Sequence, residues 1–348
     1  MGKLLSVIIP TYNMETYLPR CLGSFVSIKK ELDDLQIIVV NDGSKDASSK
    51  IAHEYEAKYP TAIVVIDKEN GNYGSCVNVG LKHVQGKYVK IVDADDWVDS
   101  EELEKLLVQL QCCDSDMVIT PYQKVYESSD KIQVCSLPLN FDMREQGIND
   151  FFSIDYFSLL QMHMISYKTS ILRAINYHQT EGISYTDSEW TFKPIFHVKT
   201  VQMVDANVYR YLLGREGQTM DPKVILRSLN QELIVLKSQL DYRKNNYENI
   251  ESINVKKYVD FTICRKSILI YTQMLLKASN SEFDASIVDR MESMMKELAP
   301  ELYDKMAYFD ARCVVVRYWR KNKKLVPPFF RTILCLGLNL VKLVKNSR

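Results

Sequence analysis

The sequence predicts an α/β fold: a mostly parallel sheet flanked by helices, followed by a C-terminal helical region. In the first part of the chain, short apolar runs (Leu4–Ile9, Gln36–Val40, Thr61–Ile66 and Tyr88–Val92) alternate with amphipathic stretches. Strands that alternate with helices build a parallel sheet. After Asp221-Pro222 the texture changes: Leu226, Leu229, Leu233, Leu236 and Leu240 recur at helical spacing, as on one face of an amphipathic helix.

Taken in order, Leu4–Ile9 is a buried strand that Pro10 ends. Thr11-Tyr12-Asn13 makes a polar turn into a helix carrying Tyr17, Leu18, Cys21, Leu22 and Phe25 inward. Gln36–Val40 is the second strand, Asn41-Asp42-Gly43-Ser44 its turn, and a helix follows from about Asp46 to Tyr59 with Ser44 or Asp46 as cap. Thr61–Ile66 gives a third strand, Gly74–His83 a helix and Tyr88–Val92 a fourth strand. Ser100 caps the next helix, whose Leu103, Leu106, Leu107 and Leu110 share one face. Shorter strand-like pieces run from Met117 to about Asn140, a mixed region reaches Leu213, and helices cover about Ile253–Lys277 and Asp284–Leu298. The expected domains are 1–218, a helical 219–310 and a basic tail 311–348.

Composition narrows the function. The 348 residues are 46% hydrophobic and 25% charged, as in an ordinary soluble protein with a sizeable core. Lys+Arg and Asp+Glu both number 44, so no global field advertises nucleic acid. No acidic residue follows Asp310, whereas Arg312, Arg317, Arg320, Lys321, Lys342, Lys345 and Arg348 do. The eight cysteines lack a CxxC pair, and read as small buried hydrophobes in a reducing compartment. The five histidines are dispersed, and read as core or surface residues. Leu4–Pro10 is too short for a signal peptide.

The chemistry concentrates at Gly86–Asp99, GKYVKIVDADDWVD. A buried strand drives into Asp93, Asp95 and Asp96, with Ala94 between and Trp97 after them. Carboxylates this close repel one another, so they persist where a cation is meant to sit among them. A divalent metal carrying a diphosphate fits, as does a solvated acidic turn at a helix start. Thr11-Tyr12-Asn13, Asp42-Gly43-Ser44 and Asp93-Ala94-Asp95 all lie at strand carboxyl ends, the edge at which open α/β sheets bind ligands. Asp42 suits either a base imide or an Asx turn. Asn72, Gly74, Ser75 and Asn78 open a helix where a ligand can approach closely. Neither GxGxxG nor GxxxxGK[ST] is present, which argues against an NAD enzyme or an ATPase.

SVIIPTYN (Ser6–Asn13), IIVVNDGSKD (Ile37–Asp46), NYGSCVNVGL (Asn72–Leu81) and GKYVKIVDADDWVD (Gly86–Asp99) together resemble family 2 glycosyltransferases of the GT-A fold, a Rossmann-like sheet, over roughly residues 4 to 215. The resemblance implies inverting transfer from a nucleotide-activated sugar, usually a UDP-sugar, with Mg²⁺ or Mn²⁺ as cofactor. Carried over, Thr11, Tyr12 and Asp42 line the base, Asp93 holds the ribose and Asp95 binds the metal. Pro10, Asn13, Asn72, Gly74, Ser75, Asn78 and Ala94 complete the nucleotide-sugar site. Such enzymes use an Asp or Glu as general base, often in a Glu-Asp pair before an aromatic residue. In YTDSEWTF, Asp187 matches that base, with Glu189 as second choice because Thr186 replaces the usual Glu. Trp97, Trp190, Arg215 and Gln218 stand as contacts to acceptor or diphosphate. The resemblance implies a glycan or lipid-linked acceptor and leaves a homo-oligomer open.

The tail joins Tyr318-Trp319 and their basic neighbours to Pro327-Pro328-Phe329-Phe330 and the apolar stretch Ile333–Val344. It is too short to span a bilayer, and reads as an amphipathic helix on the inner membrane face of a cytoplasmic, peripheral protein, with Phe329, Phe330, Leu334 and Leu338 in the interface. A helix docked on the protein's own body is the rival. A sugar nucleotidylyltransferase would need a glycine-rich basic loop after the first strand, and Pro10-Thr11-Tyr12-Asn13 is not one. A non-catalytic nucleotide-sugar-binding or scaffold protein is the alternative from another class.

Overall fold

The computed structural model describes residues 2–28, 32–127, 132–135, 143–153, 160–215, 226–309, 313–323, 325–327, 329 and 331. The chain divides into two compact units, Met1–Gln218 with Ile250–Val255 and Thr219–Asn249 with Lys256–Arg348.

The first unit begins with β1 (Leu5–Thr11), α1 (Leu18–Val26), β2 (Leu35–Asn41), α2 (Ser48–Lys58), β3 (Ile63–Asp67), α3 (Asn72–His83) and β4 (Tyr88–Ile91). These strands are parallel, in the order β3-β2-β1-β4. Every residue of β1, β2 and β4 is buried, which is why their sequences are continuous apolar runs rather than alternating ones. β5 (Trp97–Val98), α4 (Ser100–Cys112), β6 (Met117–Ile119), β7 (Tyr122–Tyr126), β8 (Ile132–Cys135), β9 (Gln146–Gly147), α5 (Ile148–Phe151), β10 (Ile165–Lys168), α6 (Thr169–Ala174), α7 (Asp187–Trp190), β11 (Thr200–Met203) and β12 (Tyr209–Leu213) follow. β10, β6, β11 and β9 extend the large sheet, with β10 antiparallel to both β4 and β6. A second sheet has the order β5-β12-β7-β8.

Two local expectations change. β1 does not stop before Pro10 but runs on to Thr11. It pairs with β2 throughout, to Thr11↔Asn41, but with β4 only to Ile8↔Ile91. Ile8 O accepts from Val92 N on the β4 side, so by alternation Pro10 also faces that side, where the ladder has ended and its missing N–H costs nothing. The α4 cap is Asp99, whose Oδ1 accepts from Glu102 N at 3.1 Å, while Ser100 Oγ donates to Ser24 O instead.

In the second unit, helices Leu229–Asn246, Ala285–Leu298, Pro300–Met306 and Cys313–Asn322 join most of Ile253–Thr272 and its π-helical continuation Gln273–Lys277. The expected membrane collar around Tyr318-Trp319 is instead part of this unit. Trp319 is 1% exposed, Arg320 donates to Tyr303 O and stacks on the Tyr303 ring, and Lys323 Nζ bonds Glu292 at 2.6 Å. Those basic groups are spent on the protein's own carbonyls, ring and carboxylate. Phe329 is exposed, and the stretch Ile333–Val344, with Leu334 and Leu338, lies outside the described residues, as does Phe330. Among the described residues, no helix is long and apolar enough to cross a membrane.

At the edge of the large sheet, His53 bridges Glu56 (2.8 Å) and Asp67 (2.7 Å), and the Asp67 and Glu56 hydrogen bonds raise its pKa above the ordinary 6.5. A raised folded value means that the stabilisation is complete below the ordinary value and is lost as pH rises through the raised one. Between pH 6 and 8.5 the melting temperature should therefore fall by about 1 °C more in wild type than in His53→Gln, the size of a half-exposed pair. Calorimetry at matched ionic strength measures this difference.

Candidate functional site

The strand order reverses between β1 and β4, and a parallel sheet opens a crevice at the carboxyl ends beside such a reversal. β1 ends at Thr11, β2 at Asn41, β3 at Asp67 and β4 at Ile91, so the polar turns expected to share one edge do share it. Pro10 and Thr11 are still in the strand, with Thr11 Oγ1 turned back to Ile9 O, while Tyr12 is exposed at the rim. Asn13 adopts φ +53°; its N donates to Ser44 Oγ and its Oδ1 accepts from Lys45 N. The turns after β1 and β2 are thereby tied together. Asp42 is buried, and its Oδ1 accepts from Lys68 Nζ at 2.5 Å and Gly71 N at 2.9 Å. Lys68 also reaches Ser75 Oγ, which donates to Asn72 O.

Each acid after β4 has its own partners. Asp93 Oδ1 accepts from Tyr73 OH at 2.9 Å. Asp96 accepts from Tyr209 OH at 2.5 Å and Leu212 N at 2.7 Å. Asp95 Oδ2 accepts from Arg215 Nε at 2.9 Å. Ala94 is buried between them. Trp97 is not an open platform, because the Arg20 guanidinium lies 3.8 Å from its ring centroid and also donates to Asp95 O. Burial above all, with Asp95 and Asp187 nearby, pushes the Asp93 carboxyl up to about 7, against the Tyr73 hydrogen bond. Burial raises Asp96 well above the usual carboxylate range.

This turn has the makings of a cation site. Ligand atoms of Asp93, Asp96 and His163 lie within 4.8 Å of one another, and His163 Nδ1 is buried without a hydrogen-bond partner. His163 stacks between Tyr122 and Tyr211. Burial, then the Lys90 charge, lowers its pKa to about 3, leaving the neutral imidazole that a metal requires. Lys90 is itself buried and lowered to about 7 by that burial; it donates to His163 O at 2.6 Å. Carboxylate oxygens suit Mg²⁺ and Mn²⁺. Both Asp96 oxygens are committed to hydrogen bonds, so Asp93 and Asp95 offer the freer ones.

Asp187 opens α7, and its charge adds to burial, the main cause, in raising the pKa values of Asp93, Tyr73 and Tyr211. Residues of α3 hold the segment leading to it. Asn78 Nδ2 donates to Gln179 O and Glu181 Oε1, and its Oδ1 accepts from Gln179 N. Gly182 N donates to Gly71 O at 2.9 Å. A methyl group on Gly74 would lie 2.1 Å from Thr180 O, so this glycine is required by the protein's own backbone. Gly74 and Asn78, expected at the nucleotide sugar, instead clamp loop 178–182. Glu189, the second-choice base, is fully buried and accepts from Thr180 N, Thr180 Oγ1 and Lys193 Nζ; it fastens the loop. Trp190, expected as an acceptor platform, is a core residue, 0% exposed and edge-on to Tyr167 and Tyr177. Gln218 lies outside the described residues. Tyr73, Lys90, His163 and Tyr209 carry no sequence signal of their own, since single tyrosines, a strand lysine and a lone histidine form no motif.

The family model described as Glycosyl transferase family 2 matches residues 6–174. Glycosyltransferase GlyA of Streptococcus pneumoniae is 36% identical over 124 residues, which are 36% of this chain and 17% of that protein. Minor teichoic acid biosynthesis protein GgaB of Bacillus subtilis is 41% identical over 102 residues, 29% of this chain and 11% of that protein. The chain thus spans less than two thirds of the length of either relative. Among solved structures, S. aureus TarS 1-349 in complex with UDP-GlcNAc superposes with a TM-score of 0.64 at 18% identity, covering 91% of this chain and 92% of that one.

The α3 clamp predicts a local packing defect. Gly74→Ala should lower stability by about 1–3 kcal/mol through overpacking against Thr180, visible as a lower urea midpoint.

Proposed function

We propose that this chain, which belongs to glycosyl transferase family 2 and has the GT-A fold, is an inverting glycosyltransferase that moves a sugar from a UDP-sugar to an acceptor hydroxyl. The observation that supports the reading is that Asp42 follows β2 and Asp93 and Asp95 follow β4, at the strand carboxyl ends beside the β1/β4 reversal. The UDP-GlcNAc complex of the structural neighbour supports the choice of nucleotide, and the teichoic acid relative supports an acceptor in a surface polysaccharide or glycoconjugate.

In this reading Asp42, with Thr11 and Tyr12, takes the base, Asp93 the ribose, and Asp95 with Asp93 the metal. Asp96 and His163 support that turn. A bound Mg²⁺ or Mn²⁺ supplies charge neutralisation for the departing diphosphate. Asp187 accepts the acceptor hydroxyl proton as that oxygen bonds to the anomeric carbon. The bond from this carbon to the β-phosphate oxygen breaks on the opposite face, and UDP leaves with the electron pair. No covalent intermediate is required, and the anomeric configuration inverts. Residues 332–348 are our proposed contact with the inner membrane face; removing them should shift the protein from the membrane to the soluble fraction, and unchanged fractionation refutes the contact.

A panel of UDP-sugars assayed for acceptor-dependent UDP release tests the activity, and release from none of them favours a non-catalytic binder. Asp187→Asn should lower transfer about 10²–10⁴-fold, the usual contribution of a general base, with UDP affinity preserved in calorimetry. Full transfer by this variant removes the base assignment. Asp95→Ala should abolish the dependence of UDP affinity on Mn²⁺.

A further inference from the structure

We propose that Arg215 is an internal counter-ion for Asp95 in the free protein and transfers to the diphosphate when nucleotide enters, so that divalent cation and diphosphate bind cooperatively. The inference rests on the metal and nucleotide roles proposed above.

The three acids of the turn are compensated unequally. Asp93 and Asp96 accept from the neutral hydroxyls of Tyr73 and Tyr209 and from a backbone amide. Asp95 instead meets a full positive charge, Arg215 Nε at 2.9 Å, with the Asp95 and Arg215 side chains only 12% and 19% exposed. Arg20 does not share that role. It donates to the Asp95 backbone oxygen and stacks on Trp97, which fixes the turn without neutralising the carboxylate.

Arg215 is also placed to be re-aimed. It follows the end of β12 by two residues and comes directly after Gly214, which adopts φ +96°. Such a backbone state is one that only glycine adopts readily. Beneath the guanidinium lies the Tyr17 ring, 5.4 Å from centroid, a surface over which a planar cation can slide without losing its cation–π contact.

A divalent cation at Asp95 meets the positive charge of this guanidinium, which lowers the affinity for the cation alone. A diphosphate draws the same guanidinium away, because its planar fork matches phosphate oxygens, and so uncovers Asp95. Each ligand then removes a cost that the other faces, and the coupling is reciprocal.

Titration calorimetry of Mn²⁺ and of UDP, each alone and with the other saturating, tests this on the full chain, Arg215→Gln and Arg215→Lys. In wild type, saturating UDP should tighten Mn²⁺ binding about tenfold or more, within the ordinary range of coupling. Arg215→Gln should bind Mn²⁺ alone about tenfold tighter than wild type and lose most of the coupling, whereas Arg215→Lys, which keeps the charge, should stay near wild type. A purely structural ion pair predicts the opposite sign, and equal or weaker Mn²⁺ binding by a folded Arg215→Gln overturns the proposal. If that variant melts early, wild type alone decides, since independent binding of Mn²⁺ and UDP is equally fatal. Wild type that binds neither ligand refutes the functional reading itself, and the handover with it.

Discussion

Mutual repulsion among Asp93, Asp95 and Asp96 is the constraint from which the rest of the site follows. Three carboxylates in four positions at the end of a buried strand cannot hold their places unaided. The groups that hold them come from far along the chain: Tyr73 from α3, Arg20 from α1, and Tyr209, Leu212 and Arg215 from β12 or just beyond it. β12 also pairs with β5, the two residues that follow the acids directly. The second sheet can therefore be understood as a clamp across the acidic turn, anchored on the strand that leaves it.

A second layer of control acts on the proposed base. Asp187 lies on a four-residue helix that has little stability of its own. Its position depends on Asn78, Gly71 and Gly74 of the α3 region gripping loop 178–182, and on Glu189 and Lys193 closing the same loop from the other side. The motif at the start of α3 thus reaches the chemistry through the backbone it holds.

Much of this was legible in the sequence because it is local. Continuous apolar runs ending in polar turns set the parallel strands and the shared edge, and the leucine spacing set the helical second unit. The errors share one physical cause, since a residue's exposure depends on what packs against it from a distance. Trp190 had the composition of a platform but meets Tyr167 and Tyr177 in the core, and Trp319 had that of a membrane anchor but is buried in its own unit. His163 stands about seventy positions from the acids that it joins, and no periodicity relates them.

Pro10 gives the crevice its boundary. In a parallel ladder the hydrogen bond after Val92 N to Ile8 O would run from the N–H of residue 10 to Val92 O. Proline has no N–H to offer, so this rung is absent, and the acids that come next fold as a turn. An imino acid one strand away thereby marks the point at which the β1/β4 ladder gives way to the turn of the proposed site.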